Sequence, residues 1–270
     1  MQIGNTAFDF ENSVYIMGIL NVTPDSFSDG GHYDQLDNAF AHVEQMIRDG
    51  ADIIDIGGES TRPGCTPVPT KEEIDRVIPV IEGIQKRFDI PISIDTFKAE
   101  TARAVLDAGA HMINDIWGFK KEPEIAKVVA EFDVPCCIMH NRNNENYPSL
   151  LEDMQKDLEE SIDIALNAGV KKEHIILDPG VGFAKSMNEN LLVIKHLNFF
   201  VQMGYPLLLG TSRKRVIDYV LNLPLDQRDE GTAATTVAGV LEGATIFRVH
   251  DVLSNRRAAD MALAIKNAAF

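Results

Sequence analysis

The residues able to do chemistry in this 270-residue chain fall where short apolar runs stop. In chain order they are Asn21 and Asp25, Glu59 to Arg62, Asp95, Asn114 with Asp115, and His140 with Asn141. Asp178, Ser212 to Arg215, and Arg248 with His250 and Asp251 complete the set. Each has a bland reading of its own. Asp178-Pro179-Gly180 makes a turn, Gly57-Gly58 a tight bend, and a lone Asn or Asp caps the helix that follows. The weight lies in the sum, because a scaffold has no need of a polar group closing almost every apolar run.

Asp95, Asn114 and Asp178 supply two carboxylates and an amide, which suit a flat heterocycle carrying several N–H donors and a carbonyl. Arg62, Arg213, Lys214, Arg215, Arg248 and His250 can gather positive charge around a phosphate or pyrophosphate, helped by loop amides. Cations at a helix start, as at 212–215, oppose its dipole and favour a bound anion nearby. Asn21 offers one neutral oxygen, suited to a hard cation such as Mg2+ that arrives with phosphates. A local cation cluster is needed because the chain holds 41 acidic and 25 basic residues, a formal charge of −16. That field repels phosphate backbones at long range and argues against nucleic acid as a general partner.

Other chemistries find little support. The seven histidines show no HxH or HExxH spacing for zinc, and no Gly-x-Ser-x-Gly elbow is present. Three cysteines make no disulfide framework, which fits a reducing cytoplasm, and Cys136-Cys137 inside an apolar run reads as core packing. Trp117 reads as rim or core rather than a stacking platform. No run approaches the roughly 18 apolar residues of a membrane span, and no secretory leader is visible, so a cytoplasmic protein away from membranes is expected.

The elements that must position these groups are legible as alternating strands and helices. Eight runs rich in Ile, Val or Leu span 15–21, 52–58, 91–96, 112–116, 135–140, 175–180, 206–212 and 246–251. Each is short enough for a strand buried on both faces of a parallel sheet. Between them, Phe40, Val43, Met46 and Ile47 recur at helical spacing, and Thr70 with Glu73 reads as a capping box. Gly50-Ala51, Gly109-Ala110 and Gly243-Ala244 each precede a run, so one helix-to-strand turn is reused. The pattern predicts a single-domain (β/α)8 TIM barrel over 1–270, with residues 1–14 a small hairpin across its bottom. A doubly wound sheet competes, but no glycine-rich nucleotide fingerprint follows the first run. In a barrel, functional groups sit at the carboxyl ends of strands. Loops 23–31 and 59–64 are glycine- and serine-rich, of the kind that close over a site, with Phe27 placed to exclude water.

Gly18 to Gly31 (Gly-Ile-Leu-Asn-Val-Thr-Pro-Asp-Ser-Phe-Ser-Asp-Gly-Gly) closely resembles the first signature of the dihydropteroate synthase family. Asp55 to Gly64 (Asp-Ile-Gly-Gly-Glu-Ser-Thr-Arg-Pro-Gly) resembles the second. Ser93-Ile94-Asp95-Thr96, Ile113-Asn114-Asp115, Met139-His140, Asp178 to Lys185, Thr211 to Arg215 and Arg248 to Asp251 match in the expected order over nearly the whole chain. The resemblance implies a TIM barrel that joins para-aminobenzoate to 6-hydroxymethyl-7,8-dihydropterin pyrophosphate in folate synthesis. It implies that Asp95, Asn114, Asp178 and Lys214 hold the pterin beside Met139. Arg248, His250, Asn21 and Thr61 would hold the pyrophosphate, with Asn21 also binding Mg2+, and Arg62, Phe183 and Ser212 would frame the aminobenzoate. Asp95, Lys214, Arg248 and His250 would carry the reaction. Arg215 stands where some relatives carry serine, which leaves open the group that meets the aminobenzoate carboxylate. Family members are commonly homodimers, so a homodimer is expected.

Two other classes compete with this reading. A methyl-transferring pterin barrel would release no pyrophosphate, and the long loops at 23–31 and 61–64 speak for pyrophosphate chemistry instead. A silent scaffold would have lost Asn21, Asp95, Lys214 or Arg248, and all four are present.

Overall fold

The computed structural model describes residues 1–22, 32–59 and 68–269, and turns each of the eight apolar runs into a parallel strand. Two short strands come first, Gln2–Ile3 (β1) and Thr6–Ala7 (β2), paired antiparallel as the expected hairpin. The barrel strands are Tyr15–Asn21 (β3), Ile53–Gly57 (β4), Ile92–Asp95 (β5), Met112–Asp115 (β6), Cys136–Met139 (β7), Ile175–Asp178 (β8), Leu208–Leu209 (β9) and Ile246–Val249 (β10). Their order around the sheet is β8-β7-β6-β5-β4-β3-β10-β9. A parallel bridge between Leu177 and Leu207, with the Leu177 amide donating to Pro206 O at 2.9 Å, joins the two ends and closes the ring.

Helices fill every crossover: His32–Arg48 (α1), Thr70–Arg87 (α2), Ala99–Asp107 (α3), Glu124–Phe132 (α4) and Leu150–Asn167 (α5). Met187–Lys195 (α6) and Leu197–Val201 (α7) share one connection, and Arg215–Leu221 (α8) and Asp229–Glu242 (α9) the next. Val252–Lys266 (α10) packs against α9 and β3.

Successive strand side chains point to opposite faces, so each strand feeds two cores. Ile54, Ile56, Ile92, Ile94, Ile113 and Ile138 face outward, packed with helix residues such as Val43, Val77, Ile81 and Val105. Met17, Ile53, Met112, Cys137, Ile176, Leu208 and Ile246 face inward as one layer, and Ile3 and Phe8 of the hairpin segment close that layer from below. Period two then dictates the next inward layer: Ile19, Asp55, Asn114, Met139, Asp178, Gly210 and Arg248, joined by Asp95 of β5. An apolar floor thus carries a polar ceiling.

The reused turn is real. Gly50, Gly109, Gly169 and Gly243 all have φ near +100°, a left-handed conformation that glycine adopts without a Cβ penalty. The residue after each donates back to the carbonyl five positions earlier, for example Ala51 N to Met46 O at 2.9 Å and Ala110 N to Val105 O at 2.9 Å. The expected capping box at Thr70 does not form. Pro69 occupies the cap position, Thr70 is already helical, and Glu73 is turned away to Lys98, 2.7 Å from its Nζ. A capping box exists instead at Ser186 and Glu189, opening α6.

Candidate active site

At the centre of the polar layer Arg248 lies between two carboxylates. Its Nε donates to Asp55 Oδ2 at 2.6 Å and its Nη2 to Asp95 Oδ2 at 2.7 Å. Asn114 Nδ2 donates to the same Asp55 oxygen at 3.3 Å. Burial works against the Arg248 charge, but Asp55 and Asp95 outweigh it and hold the guanidinium more firmly protonated than usual. Burial pushes Asp95 up to about 7, opposed by Arg248 and reinforced by the Asp55 charge. Oδ1 of Asp55 and Oδ1 of Asp95 are buried with no hydrogen-bond partner among the described residues. A buried oxygen without a donor is costly, so Asp95, which lines the cavity, holds an acceptor in readiness. Asp55 opens the second signature but is given no role by the sequence. It sits inside an apolar run rather than at its end, a charge where Ile or Val belongs.

Across the cavity, Asp178 Oδ1 accepts the Gly180 amide at 2.7 Å. Burial raises the Asp178 carboxyl, with Lys214 and that amide pulling the other way. Lys214 is lowered to about 8 by burial, although Asp178 favours its charged form. Its Nζ donates to Val181 O at 2.5 Å and lies 4.8 Å from the Phe183 ring centre. Ser212 Oγ joins β9 to β10, 2.8 Å from His250 Nδ1 and accepting the His250 amide at 3.0 Å.

These groups share one cavity of about 700 Å³, walled by Ile19, Ile116 and Met139. Every expected site residue among the described ones lines it: Asn21, Asp95, Asn114, Met139, Asp178, Phe183, Ser212, Lys214, Arg215, Arg248 and His250. Arg215 is exposed at the mouth and has no hydrogen-bond or ion-pair partner among the described residues. Thr61 and Arg62, with Asp25, Phe27 and most of the two expected closing loops, lie outside the described residues.

Other strand-end groups take the bland reading. Asp115 accepts the Trp117 and Phe119 amides at 2.7 and 2.8 Å, and Asp251 accepts the Ser254 amide at the start of α10. Glu59 pairs with Lys98 at 2.6 Å. Arg213, expected among the anion-binding cations, lines the cavity but forks both nitrogens onto Asp229 at 2.8 Å each. Its φ of +56° is left-handed, and the Asp229 fork with the Thr232 hydroxyl fixes that backbone. Cys136 and Cys137 are buried in the two cores, as expected.

Among the described residues no group of three His, Cys, Asp or Glu could hold a metal. Asn21 Oδ1 lies over Gly57, 3.7 Å from where a Cβ there would stand, and lines the cavity. One neutral oxygen fits a cation brought in by phosphate better than a resident metal.

Residues 17–250 match the family described as pterin binding enzyme. Over 262 residues the chain is 57% identical to the dihydropteroate synthase of Clostridium beijerinckii, covering 97% of both proteins. The chain belongs to the dihydropteroate synthase family. Solved members of the dihydropteroate synthase family share its architecture. The Clostridium difficile enzyme, solved in the presence of pteroic acid, is 51% identical with a TM-score of 0.95, over 97% of this chain and 100% of that one. The Xanthomonas albilineans enzyme with 4-aminobenzoic acid is 40% identical with a TM-score of 0.91, over 96% and 95% of the two chains. Membership in the dihydropteroate synthase family makes the chain a transferase of folate synthesis, and its barrel that of a pterin-binding enzyme.

Proposed function

We propose that this chain, as one barrel domain, condenses 6-hydroxymethyl-7,8-dihydropterin pyrophosphate with para-aminobenzoate to give 7,8-dihydropteroate and pyrophosphate. The observation that carries the proposal is the single cavity in which the unpartnered Asp95 oxygen and Asp178 face the cations Lys214 and Arg248. Relatives solved with pteroic acid and with 4-aminobenzoic acid support the two halves of the substrate pair.

In this reading Asp95 and Asp178 accept the pterin N–H donors, Asn114 adds its amide, Lys214 donates to the pterin carbonyl, and Met139 packs on the ring. Arg248, fixed by Asp55 and Asp95, presents standing positive charge to the pyrophosphate, with His250, Asn21 and Thr61 around it. Mg2+ fits this set through Asn21 and the phosphate oxygens, and when bound it offsets leaving-group charge. The bond between the pterin methylene and pyrophosphate breaks first, its electron pair leaving with the phosphate oxygen. Asp95 stabilises the resulting cationic methylene electrostatically, because its carboxylate charge lies in a buried site where little water screens it. The aminobenzoate nitrogen then bonds to the methylene and gives its proton to solvent. Phe183, Ser212 and Arg62 frame that second substrate, and the exposed Arg215 is the cation best placed for its carboxylate.

A homodimer belongs to the same proposal. Tyr219, Val220 and Leu221 of α8, Leu241 of α9, and Met261 and Ile265 of α10 are exposed apolar side chains on the late helices. A cytoplasmic location is supported by the free thiols of Cys136 and Cys137, and nucleic acid is disfavoured as a partner by the −16 charge.

The test is pyrophosphate release by purified protein with Mg2+ and the pterin pyrophosphate, with aminobenzoate present or absent. Release that requires aminobenzoate and yields dihydropteroate is expected. Pterin binding without pyrophosphate release would point to a methyl-transferring or silent barrel instead.

A further inference from the structure

Lys185 lines the Phe183 side of the cavity yet is almost wholly buried, its ammonium engaged by backbone and imidazole. Nζ donates to Gly180 O and Phe183 O at 3.0 Å each and lies 3.0 Å from His140 Nδ1. Three acceptors match the three N–H groups of an ammonium, a complement that a neutral amine, with two, cannot fill. His140 must then be neutral, with its lone pair on Nδ1 and its proton on Nε2, donated to Asp157 Oδ2 at 2.9 Å. Burial agrees on His140, bringing it down to about 4 even though Asp157 favours the charged ring. Burial also lowers Lys185, to about 7, against the pull of Asp178, while the two carbonyls and the imidazole nitrogen give the charged form an acceptor for each of its three N–H groups.

The turn gathered by this ammonium does not hold its shape for free. Gly180, Gly182 and Ala184 alternate in left-handed conformations, with φ of +67°, +89° and +46°. Backbone of this kind persists where the surroundings over-determine it. A Cβ on Gly180 would come within 2.0 Å of His140 O, so the turn is pressed against the end of β7. Tyr147 Oη donates to Ala184 O at 2.7 Å, and the Gly182 amide donates to Asn190 Oδ1 at 2.6 Å. What this arrangement places is Phe183, whose ring meets Lys214, and Val181, whose carbonyl accepts from the same Lys214.

We propose that Lys185 is a positioning residue for the aminobenzoate half of the site: its ammonium, held like a small bound cation by Gly180, Phe183 and His140, sets the wall that Phe183 presents to the aromatic acid. The proposal rests on the function proposed above. It predicts an effect larger on aminobenzoate than on the pterin, which general loosening of the barrel would not give.

Lys185→Met keeps the side-chain bulk and removes the donors. KM for aminobenzoate is expected to rise about ten-fold or more, against a smaller change in Kd for the pterin pyrophosphate that passes through Lys214. In the background of Phe183→Ala, Lys185→Met is expected to add no further rise, since both act through one ring. An unchanged aminobenzoate KM, an equal loss for both substrates, or independent effects in the double variant overturns the proposal. Should Lys185→Met not fold, 15N NMR of the imidazoles in the unaltered protein decides. His140 is expected as the Nε2–H tautomer with an acceptor Nδ1, and a proton on Nδ1 contradicts a charged Lys185. Absence of dihydropteroate synthesis by the unaltered protein would refute the function, while the imidazole spectrum would still report on Lys185.

Discussion

Arg248 and Asp55, 193 positions apart in the chain, meet through a 2.6 Å charge-assisted hydrogen bond on the barrel axis. The same guanidinium holds Asp95 at 2.7 Å, so Asp55 sets the position of the group that in turn orients Asp95. Asp55→Asn keeps the shape and an acceptor but gives up the ionic partner. That loss of a buried charged bond is expected to lower kcat/KM by roughly 10- to 100-fold. Steady-state kinetics, with circular dichroism to show the barrel retained, checks it, and full activity would remove Asp55 from the account.

The two sides of the cavity titrate in opposite senses. Asp95, ordinarily near 3.8, is raised to about 7 by burial against Arg248, so it gains the charge needed for pterin as pH rises through that value. Lys214, lowered to about 8 by burial, loses its proton just above. The kcat/KM for the pterin substrate should therefore rise through about pH 7 and fall through about pH 8. Asp55→Asn removes a like charge beside Asp95 and moves the acidic limb down. For stability the sign reverses. Folded Asp95 keeps its proton between 3.8 and about 7 where the unfolded chain loses it, so its contribution is complete at low pH and lost as pH rises through about 7. A pH-independent kcat/KM across this window contradicts the assignment.

Ser186 and Thr70 offer a contrast in caps. Ser186→Ala removes a hydroxyl that accepts the Glu189 amide and is expected to cost about 1 kcal/mol. Thr70→Ala touches no cap hydrogen bond and should stay within about 0.5 kcal/mol. Urea unfolding of both variants measures the difference, and equal costs would mean that the cap at α2 had been misplaced.

Much of this architecture was legible from residues alone, for stated reasons. Strands buried on both faces are bare apolar runs, and a left-handed helix stop strongly selects glycine, so the barrel, its bottom hairpin and its repeated turn could be read. Strand-end residues could be listed because barrels place chemistry there. The role of Asp55 stayed hidden, although it opens the second signature, because inward parity matters only once register is known. The pairing of Arg213 with Asp229 was not legible because that carboxylate is supplied by the start of α9. Thr70 failed as a cap because Lys98, 25 residues beyond Glu73, competes for that carboxylate. The seventh apolar run, 206–212, gives only Leu208–Leu209 as strand, since Thr211 and Ser212 leave the ladder for Thr235 and His250.

The central claim is that Asp95 and Asp178 read the pterin from two walls of one cavity. Calorimetric titration of dihydropterin pyrophosphate with Mg2+ into the unaltered protein, Asp95→Ala and Asp178→Ala tests it most directly. The account predicts tight binding by the unaltered protein and a loss of about ten-fold or more in each variant, with the barrel intact. Equal affinity in all three would contradict it.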